Sequence, residues 1–313
     1  MKYDRLGFPI PPTFPDPAAD DRMPTTPRAD GTPLRTAGRG KRLLLLGLLA
    51  LVIVPGLLAP GVMPAVSEAV VMWSLERAIV GEARGNVPSA IANLGRAIRW
   101  CDGDADRRCR LLCWRAMLRI ENLDTRGGLA DAEQAIAIAP TSSQPRRVRA
   151  LAHVILDEPD AALDDAEAAV TLSGHGDPEA LNHRAYIRAL VGRNLEQALA
   201  DIEAALPPDG DGSPEFLDTK GFVLHLLGRH HEAVDLLNVA IDATQKTRRR
   251  LVELSSHADP DEIAYQLRSL DHGLAVIHQH RGVACRAMGL EAQAVQDLET
   301  AERKGYAPRR GVF

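Results

Sequence analysis

Apolar and small residues recur on one helical face along most of this chain. In the stretch NLEQALADIEAAL, Asn194 to Leu206, the residues Ala198 and Ala205 lie seven apart, with Ile202 between them. Steps of four and three residues place these positions on one face of a helix. Because small side chains there let another helix approach closely, the stretch predicts a helix packed tightly against a neighbour.

This frame of two small residues around an apolar one occurs six times. The pairs are Ala90 and Ala97, Gly128 and Ala135, Ala162 and Ala169, Ala198 and Ala205, Ala233 and Ala240, and Ala294 and Ala301. Successive frames are separated by 38, 34, 36, 35 and 61 residues. A period of about 34 residues is typical of a helix–turn–helix repeat, so we predict six units, each a pair of helices joined by a turn.

The spacing of the marker residues resembles that of the tetratricopeptide repeat (TPR) family. The copy SPEFLDTKGFVLHLLGRHHEAVDLLNVAI has the family's Gly, Leu-Gly, Ala and Ala at Gly221, Leu227-Gly228, Ala233 and Ala240, and the last copy repeats the pattern at Gly282, Gly289, Ala294 and Ala301. The resemblance covers residues 67–308 and implies an all-α, right-handed superhelical solenoid of about six repeats. There are three departures from the family. Most large aromatics are replaced by Ala, Leu or Ile, Gly192 lies one residue early relative to Ala198, and unit two lacks the turn glycine.

The longest interval, between units five and six, contains an insertion from Thr244 to Leu270. Within it, the run Asp259 to Glu262 has the form of a capping box with a proline at the first helical position. We therefore expect that two helices are lengthened here into a protruding hairpin. The run Arg248 to Arg250 on this hairpin is either a solvated charge cluster or a contact for an acidic partner or a lipid headgroup.

The N-terminal part of the sequence has a different composition. Residues 1–42 are rich in proline and polar residues, which predicts a disordered tail whose FPIPP segment is either a spacer or a docking motif. The run from Leu43 to Val66 contains no charged residue. Because about 20 apolar residues span a bilayer, we predict a transmembrane helix at this run, with a cleaved signal peptide as the alternative.

The predicted membrane topology follows from the charges beside this apolar run. Basic residues precede it, and no basic residue follows it before Arg77. The positive-inside rule then places the tail in the cytoplasm and the repeat domain on the periplasmic or extracytoplasmic side. The sequence predicts a single-pass membrane protein that contacts the lipid bilayer through Leu43 to Val66 and ends in a short tail, residues 309–313.

Charge and composition narrow the classes of partner. The formal net charge is −5, which argues against a polyanion partner such as nucleic acid. Aromatic residues make up only 4% of the chain, so the core must consist of Ala, Leu, Val and Ile. No nucleotide-binding, metalloprotease or nucleophile-elbow motif is found, and we predict neither enzymatic activity nor a cofactor.

The remaining polar clusters have ordinary structural interpretations. Three cysteines, Cys101, Cys109 and Cys113, are close in sequence but include no C-x-x-C pair, which favours buried packing over a zinc site. A disulfide from Cys101 to either of the others is a further alternative. Histidines in the pairs 230–231 and 278/280 are expected at the surface. A recurring acid on the second helices predicts a solvated or inter-repeat position, at Asp131, Asp165, Asp201 and Asp297.

The TPR resemblance implies that a short peptide docks on the concave face, which the first helices of the units line. The family's groove positions in units four to six fall on ten candidate partner-binding residues: Asn182, His183, Tyr186, Asp218, Thr219, Phe222, His225, Gln279, His280 and Arg286. Tyr186 and Phe222 are the candidate anchors because aromatics dominate binding hot spots, and filling gaps between helices is the alternative. Since Asp218 and Phe222 occupy two positions of the family's carboxylate clamp, we do not predict binding of a chaperone C-terminal tail.

These observations together predict a non-enzymatic, membrane-anchored scaffold that binds a protein or peptide partner on its concave face. Two alternatives stay open at this point. One is a secreted or periplasmic TPR binding protein released by signal cleavage. The other is a regulatory subunit of an enzyme complex.

Overall fold

The computed structural model describes residues 62–101, 103–207, 212–255 and 258–307, and these residues form twelve helices. Short turns join successive helices into antiparallel pairs, one pair per unit. The helices are α1 (Val62–Ala83), α2 (Val87–Trp100), α3 (Ala105–Glu121), α4 (Thr125–Ile138), α5 (Gln144–Ile155), α6 (Pro159–Ser173), α7 (Pro178–Leu190), α8 (Leu195–Ala205), α9 (Pro214–Leu226), α10 (His230–Leu254), α11 (Pro260–Ala287) and α12 (Glu291–Arg303).

The small residues of the repeated frame form the helix contacts that the sequence predicts. All eleven alanines of the six frames are buried, and ten of them are completely inaccessible to solvent. The apolar residues between them are equally buried in units one, four and five, at Leu94, Ile202 and Leu237. Both helices of each unit therefore contribute buried residues to the core, which consists of three hydrophobic clusters along the array.

Each turn between the helices of a unit contains a residue in the left-handed backbone region. Glycine occupies it in four units, for example Gly228 with φ +81°. Units two and three use Leu123 and Asp157 instead, with φ of 66° and 59°. The turn geometry is thus retained where the glycine is missing. Because a side chain is sterically disfavoured in the left-handed region, these two turns are strained relative to the glycine turns.

Gly128 shows how closely the helices of unit two approach. A Cβ atom at this residue would lie 2.7 Å from Ile120 Cγ1 and 2.9 Å from the carbonyl oxygen of Ala116. We expect Gly128→Ala to lower the free energy of unfolding by about 1 to 3 kcal/mol, because α3 and α4 must separate to admit a methyl group. Urea unfolding followed by circular dichroism measures this change.

The matched control for this prediction is Gly273→Ala in the middle of α11. A Cβ atom there has no atom within 4 Å, so alanine should leave stability unchanged or raise it by about 1 kcal/mol through its higher helix propensity. Equal effects of the two substitutions would contradict the close helix contact at Gly128.

The predicted transmembrane helix from Leu43 to Val66 is wrong. Residues 62–66 instead begin α1, which carries Glu68, Glu76, Arg77 and Glu82 and packs against α2 as the first helix of unit one. Residues 43–61, like the predicted disordered tail 1–42, lie outside the described residues. Among the helices that are described, none combines the length and apolarity needed to cross a bilayer. The predictions of a single-pass membrane protein and of a bilayer contact through Leu43 to Val66 are therefore also wrong.

The two helices that contain most of the predicted insertion are the longest of those described. Helix α10 has 25 residues and α11 has 28, whereas the second helix of unit four has 11. The N-terminal half of α11 extends beyond unit six and contacts α1 of unit one. The domain boundaries, including residues 244–270 for the insertion and 309–313 for the C-terminal tail, stay predictions.

Candidate functional site

Buried arginine–aspartate pairs fix the orientation of the first helices. In units two, three, four and six, an aspartate of the second helix accepts two hydrogen bonds from an arginine of the first helix at 2.6–2.8 Å. The pairs are Arg115–Asp131, Arg149–Asp165, Arg184–Asp201 and Arg281–Asp297. These are the recurring acids of the sequence, and they are buried within a unit, so the expected solvated or inter-repeat position is wrong.

Each pair turns one face of the first helix towards the second helix of its own unit. The opposite face of the first helix, which we call the inner face, is directed away from that second helix. Neighbouring first helices contact one another from α3 through α5, α7 and α9 to α11, and α11 contacts α1. Helix α2 contacts both α1 and α3, so the first helices together with α2 form a closed circuit of contacts.

Three predicted groove residues meet on the inner face, and we call them the aromatic cluster: Tyr186 of α7, Phe222 of α9 and His280 of α11. The rings of Phe222 and His280 are stacked, with centroids 4.0 Å apart and planes 7° apart. Tyr186 meets both rings edge-on at 6.2–6.3 Å. Contacts between aromatic groups from three units thus link the first helices of units four, five and six.

A buried carboxylate orients the aromatic cluster. His280 Nδ1 lies 2.9 Å from Asp218 Oδ1, and both side chains are almost completely buried. Burial raises the pKa of Tyr186 well above its usual value, and the charge of Asp218 acts in the same direction. The expected surface position of His278 and His280 is therefore wrong, since His278 is also buried against Asp297.

The other predicted groove residues do not join this cluster. Thr219 donates to the backbone oxygen of Glu215 within its own helix. His225 lies 3.1 Å from His230 in the turn region of unit five, and burial lowers the pKa of His225 to about 4. Gln279 is half-buried, and Arg286 is exposed 3.6 Å from Glu291.

Polar groups without partners lie beside the cluster, between α5 and α7. Both ring nitrogens of His183 and the Oδ1 atom of Asn182 are buried and have no hydrogen-bond partner. The guanidinium of Arg147, one unit earlier, is close enough to depress the pKa of His183 further, to about 3, although burial is the larger cause. Sequence reasoning missed Arg147, which occupies in unit three the frame position that Asn182 occupies in unit four.

The cysteines are structural in the described residues. All four are buried free thiols, and burial is the main cause that raises the pKa of Cys101 and of Cys285. In this part of the chain, no group of three or more histidine, cysteine or acidic side chains has an arrangement that could hold a metal ion.

The six helical hairpins, with small residues at their contacts, define a helical-repeat protein. No protein-family model matches the chain, and no curated protein matches its sequence. Similar solved structures include a tetratricopeptide repeat protein from Parabacteroides merdae ATCC 43184, with 18% identity over 76% of this chain and 94% of that chain and a TM-score of 0.44.

Two further structures are similar at the same level. PilW, described as a widely conserved type IV pilus biogenesis factor, has 17% identity over 64% of this chain and 94% of its own, with a TM-score of 0.41. The TPR domain of P58(IPK) has 17% identity over 87% and 94%, with a TM-score of 0.29.

Proposed function

We propose that this protein is a non-enzymatic scaffold that binds a protein or peptide partner on its inner face. The observation that supports this function is the composition of the inner face in units three to five. There, half-buried Tyr186 and Phe222 lie beside Asn182 and His183, whose buried polar atoms lack partners. An apolar anchor site next to unused hydrogen-bonding groups is typical of peptide-binding surfaces.

The chemistry of these groups indicates how a partner is recognised. Aromatic rings with part of their surface open provide contact area for an apolar side chain. The guanidinium of Arg147 forms no ion pair with a described residue and is suited to a carboxylate of the partner. Burying the amide oxygen of Asn182 without a hydrogen bond is unfavourable because its hydrogen bonds to water are lost. A hydrogen-bond donor on the bound partner would replace them. These features together favour a peptide with an apolar and an acidic side chain.

Selection from a random peptide library against the full-length protein tests this function. For the selected peptides, Phe222→Ala and Tyr186→Ala should each weaken binding by about tenfold or more, since truncation of an aromatic hot spot has effects of this size. Isothermal titration calorimetry measures the dissociation constants.

The matched control is Val239→Ala on α10, an apolar side chain exposed on a second helix. This change should leave peptide affinity unaltered, because second helices do not line the inner face. Peptides that lose affinity with Val239→Ala and not with Phe222→Ala would show that binding occurs elsewhere and would refute the proposal.

A further inference from the structure

Two histidine rings meet at the turn of unit five. His225 lies in the last turn of α9 and His230 is the first residue of α10, five positions later. Gly228, in the left-handed region with φ +81°, turns the chain between them. The two Nδ1 atoms lie 3.1 Å apart, and the ring planes are inclined by 45° with centroids 4.9 Å apart. The turn therefore directs the same nitrogen of each ring towards the other.

Unit six shows that the fold itself brings these two positions together. Arg286 and Glu291 have the places, relative to the turn glycine, that His225 and His230 have in unit five. They form an ion pair at 3.6 Å. Contact across this turn thus requires only a complementary pair of side chains. Unit five fills both places with imidazoles, which are the commonest metal ligands in proteins.

The spacing of the two nitrogens fits a shared metal ion. Metal–nitrogen bonds of about 2.0–2.1 Å place neighbouring ligand atoms about 3.3 Å apart in tetrahedral geometry and about 2.9 Å apart in square-planar geometry. The observed Nδ1–Nδ1 distance of 3.1 Å lies between these values. A divalent ion can therefore bind both nitrogens after small rotations of the rings, in place of the hydrogen bond between them.

The charge state and the exposure of the pair also suit a metal ion. Burial lowers the pKa of His225 to about 4, and the charge of His230 acts in the same direction. At pH 7 the His225 ring is therefore neutral and keeps the lone pair that a metal ligand needs. Both side chains are half-buried, which leaves part of each ring accessible. The charged residues next to His230 in sequence, Arg229 and Glu232, are paired with each other at 2.6 and 2.8 Å.

We infer that His225 and His230 form a binding site for one divalent transition-metal ion, with water in the remaining coordination positions. Two imidazole ligands without a carboxylate favour Zn²⁺, Ni²⁺ and Cu²⁺ over Mg²⁺ and Ca²⁺. With two protein ligands the site is an open one, in contrast to a closed structural zinc site. Both rings then carry their proton on Nε2, so the ion displaces no proton from the neutral pair. The site lies at a turn outside the aromatic cluster and does not depend on the proposed function.

Metal titration of the full-length protein, first treated with a chelator that is then removed, tests this site. Isothermal titration calorimetry with Zn²⁺ or Ni²⁺ alone should show one ion bound per chain, and Mg²⁺ should show no binding. We expect His225→Gln and His230→Gln each to weaken the binding of both ions by about tenfold or more, because each removes one of the two ligands.

The matched control gives unit five the pair of unit six, as His225→Arg with His230→Glu. This variant keeps a contact across the turn, so it should unfold in urea at nearly the wild-type midpoint and yet bind neither ion. His175→Gln, on the exposed loop before α7, should bind both ions as the wild type does. The site would be overturned by a wild-type protein that binds neither ion, or by binding that persists unchanged in the variants of His225 and His230.

Discussion

Replacing Asp131 with alanine should lower the free energy of unfolding by about 3 to 5 kcal/mol, the largest single-residue effect that we expect in this protein. The Asp131 side chain is completely buried and accepts from Arg115 at 2.6 and 2.8 Å. Arg119 lies 3.0 Å from the same carboxylate. Alanine removes the only buried acceptor of these bonds and leaves an arginine charge in the interior of unit two without compensation.

Urea unfolding measures this loss with two probes. Circular dichroism reports on the whole array, and tryptophan fluorescence reports on its N-terminal units, because the three tryptophans are Trp73, Trp100 and Trp114. In a repeat protein the units interact mainly with their neighbours, so the fluorescence transition should shift more than the circular dichroism transition.

Asp160→Ala is the control for Asp131→Ala. Asp160 also pairs with an arginine, Arg193, but its side chain is 88% exposed. Its removal should change stability by no more than about 1 kcal/mol, which is the usual contribution of a surface ion pair. A loss below about 1 kcal/mol for Asp131→Ala would mean that the buried pairs do not hold the hairpins together.

Acidification should destabilise the fold by up to about 3 kcal/mol between pH 6.5 and pH 4 through His183 alone. Burial, and secondarily the charge of Arg147, lowers the pKa of His183 from 6.5 to about 3. The unfolded chain therefore binds a proton below pH 6.5 that the folded protein does not bind. Stability is complete above pH 6.5, falls as the pH decreases towards about 3, and then no longer depends on this group.

The pH dependence is measured by urea unfolding at several pH values in the wild type and in His183→Gln. The substitution removes the titrating group and should reduce the loss of stability between pH 6.5 and pH 4 by about 3 kcal/mol at most. In His183→Gln, a smaller loss of stability on acidification should remain, because burial also lowers the pKa of His225, to about 4.

His175 provides the matched histidine control on the exposed loop before α7. His175→Gln should have the same pH dependence as the wild type. If His183→Gln and the wild type lose stability equally on acidification, the ring of His183 is hydrated in the folded protein, and its unpaired nitrogens would no longer support a binding role.

The helices and their pairing follow from local sequence. A small residue, an apolar residue and a second small residue at steps of four and three define a face that only another helix can cover, and this frame predicts α2, α4, α6, α8, α10 and α12. The turn between the two helices of a unit is also predicted by local sequence. Leu123 and Asp157 show that the left-handed backbone conformation is kept even in the two turns that lack the glycine. For the candidate site, the resemblance to the TPR family implied that Tyr186, Phe222 and His280 lie on the first helices.

Sequence reasoning failed where a prediction depended on the surroundings of a side chain. An uncharged run from Leu43 to Val66 satisfied a composition rule, yet its last residues belong to a charged helix that packs on α2. The recurring aspartates were expected either in solvent or between units, whereas their arginine partners lie 16 or 17 residues earlier, on the other helix of the same unit. That separation is not a helical period, so the pattern within a single helix does not reveal the pairing.

The sequence by itself determined the six hairpins, because every hairpin is specified by contacts within about 34 residues. Only the tertiary structure decided that three aromatic groups meet at one place, that His183 and Asn182 are left without partners, and that Arg84 reaches Asp261. These relations depend on the small rotation between successive units, added over the whole array. The accumulated rotation depends on how all the units pack together, and no single segment of the chain specifies it.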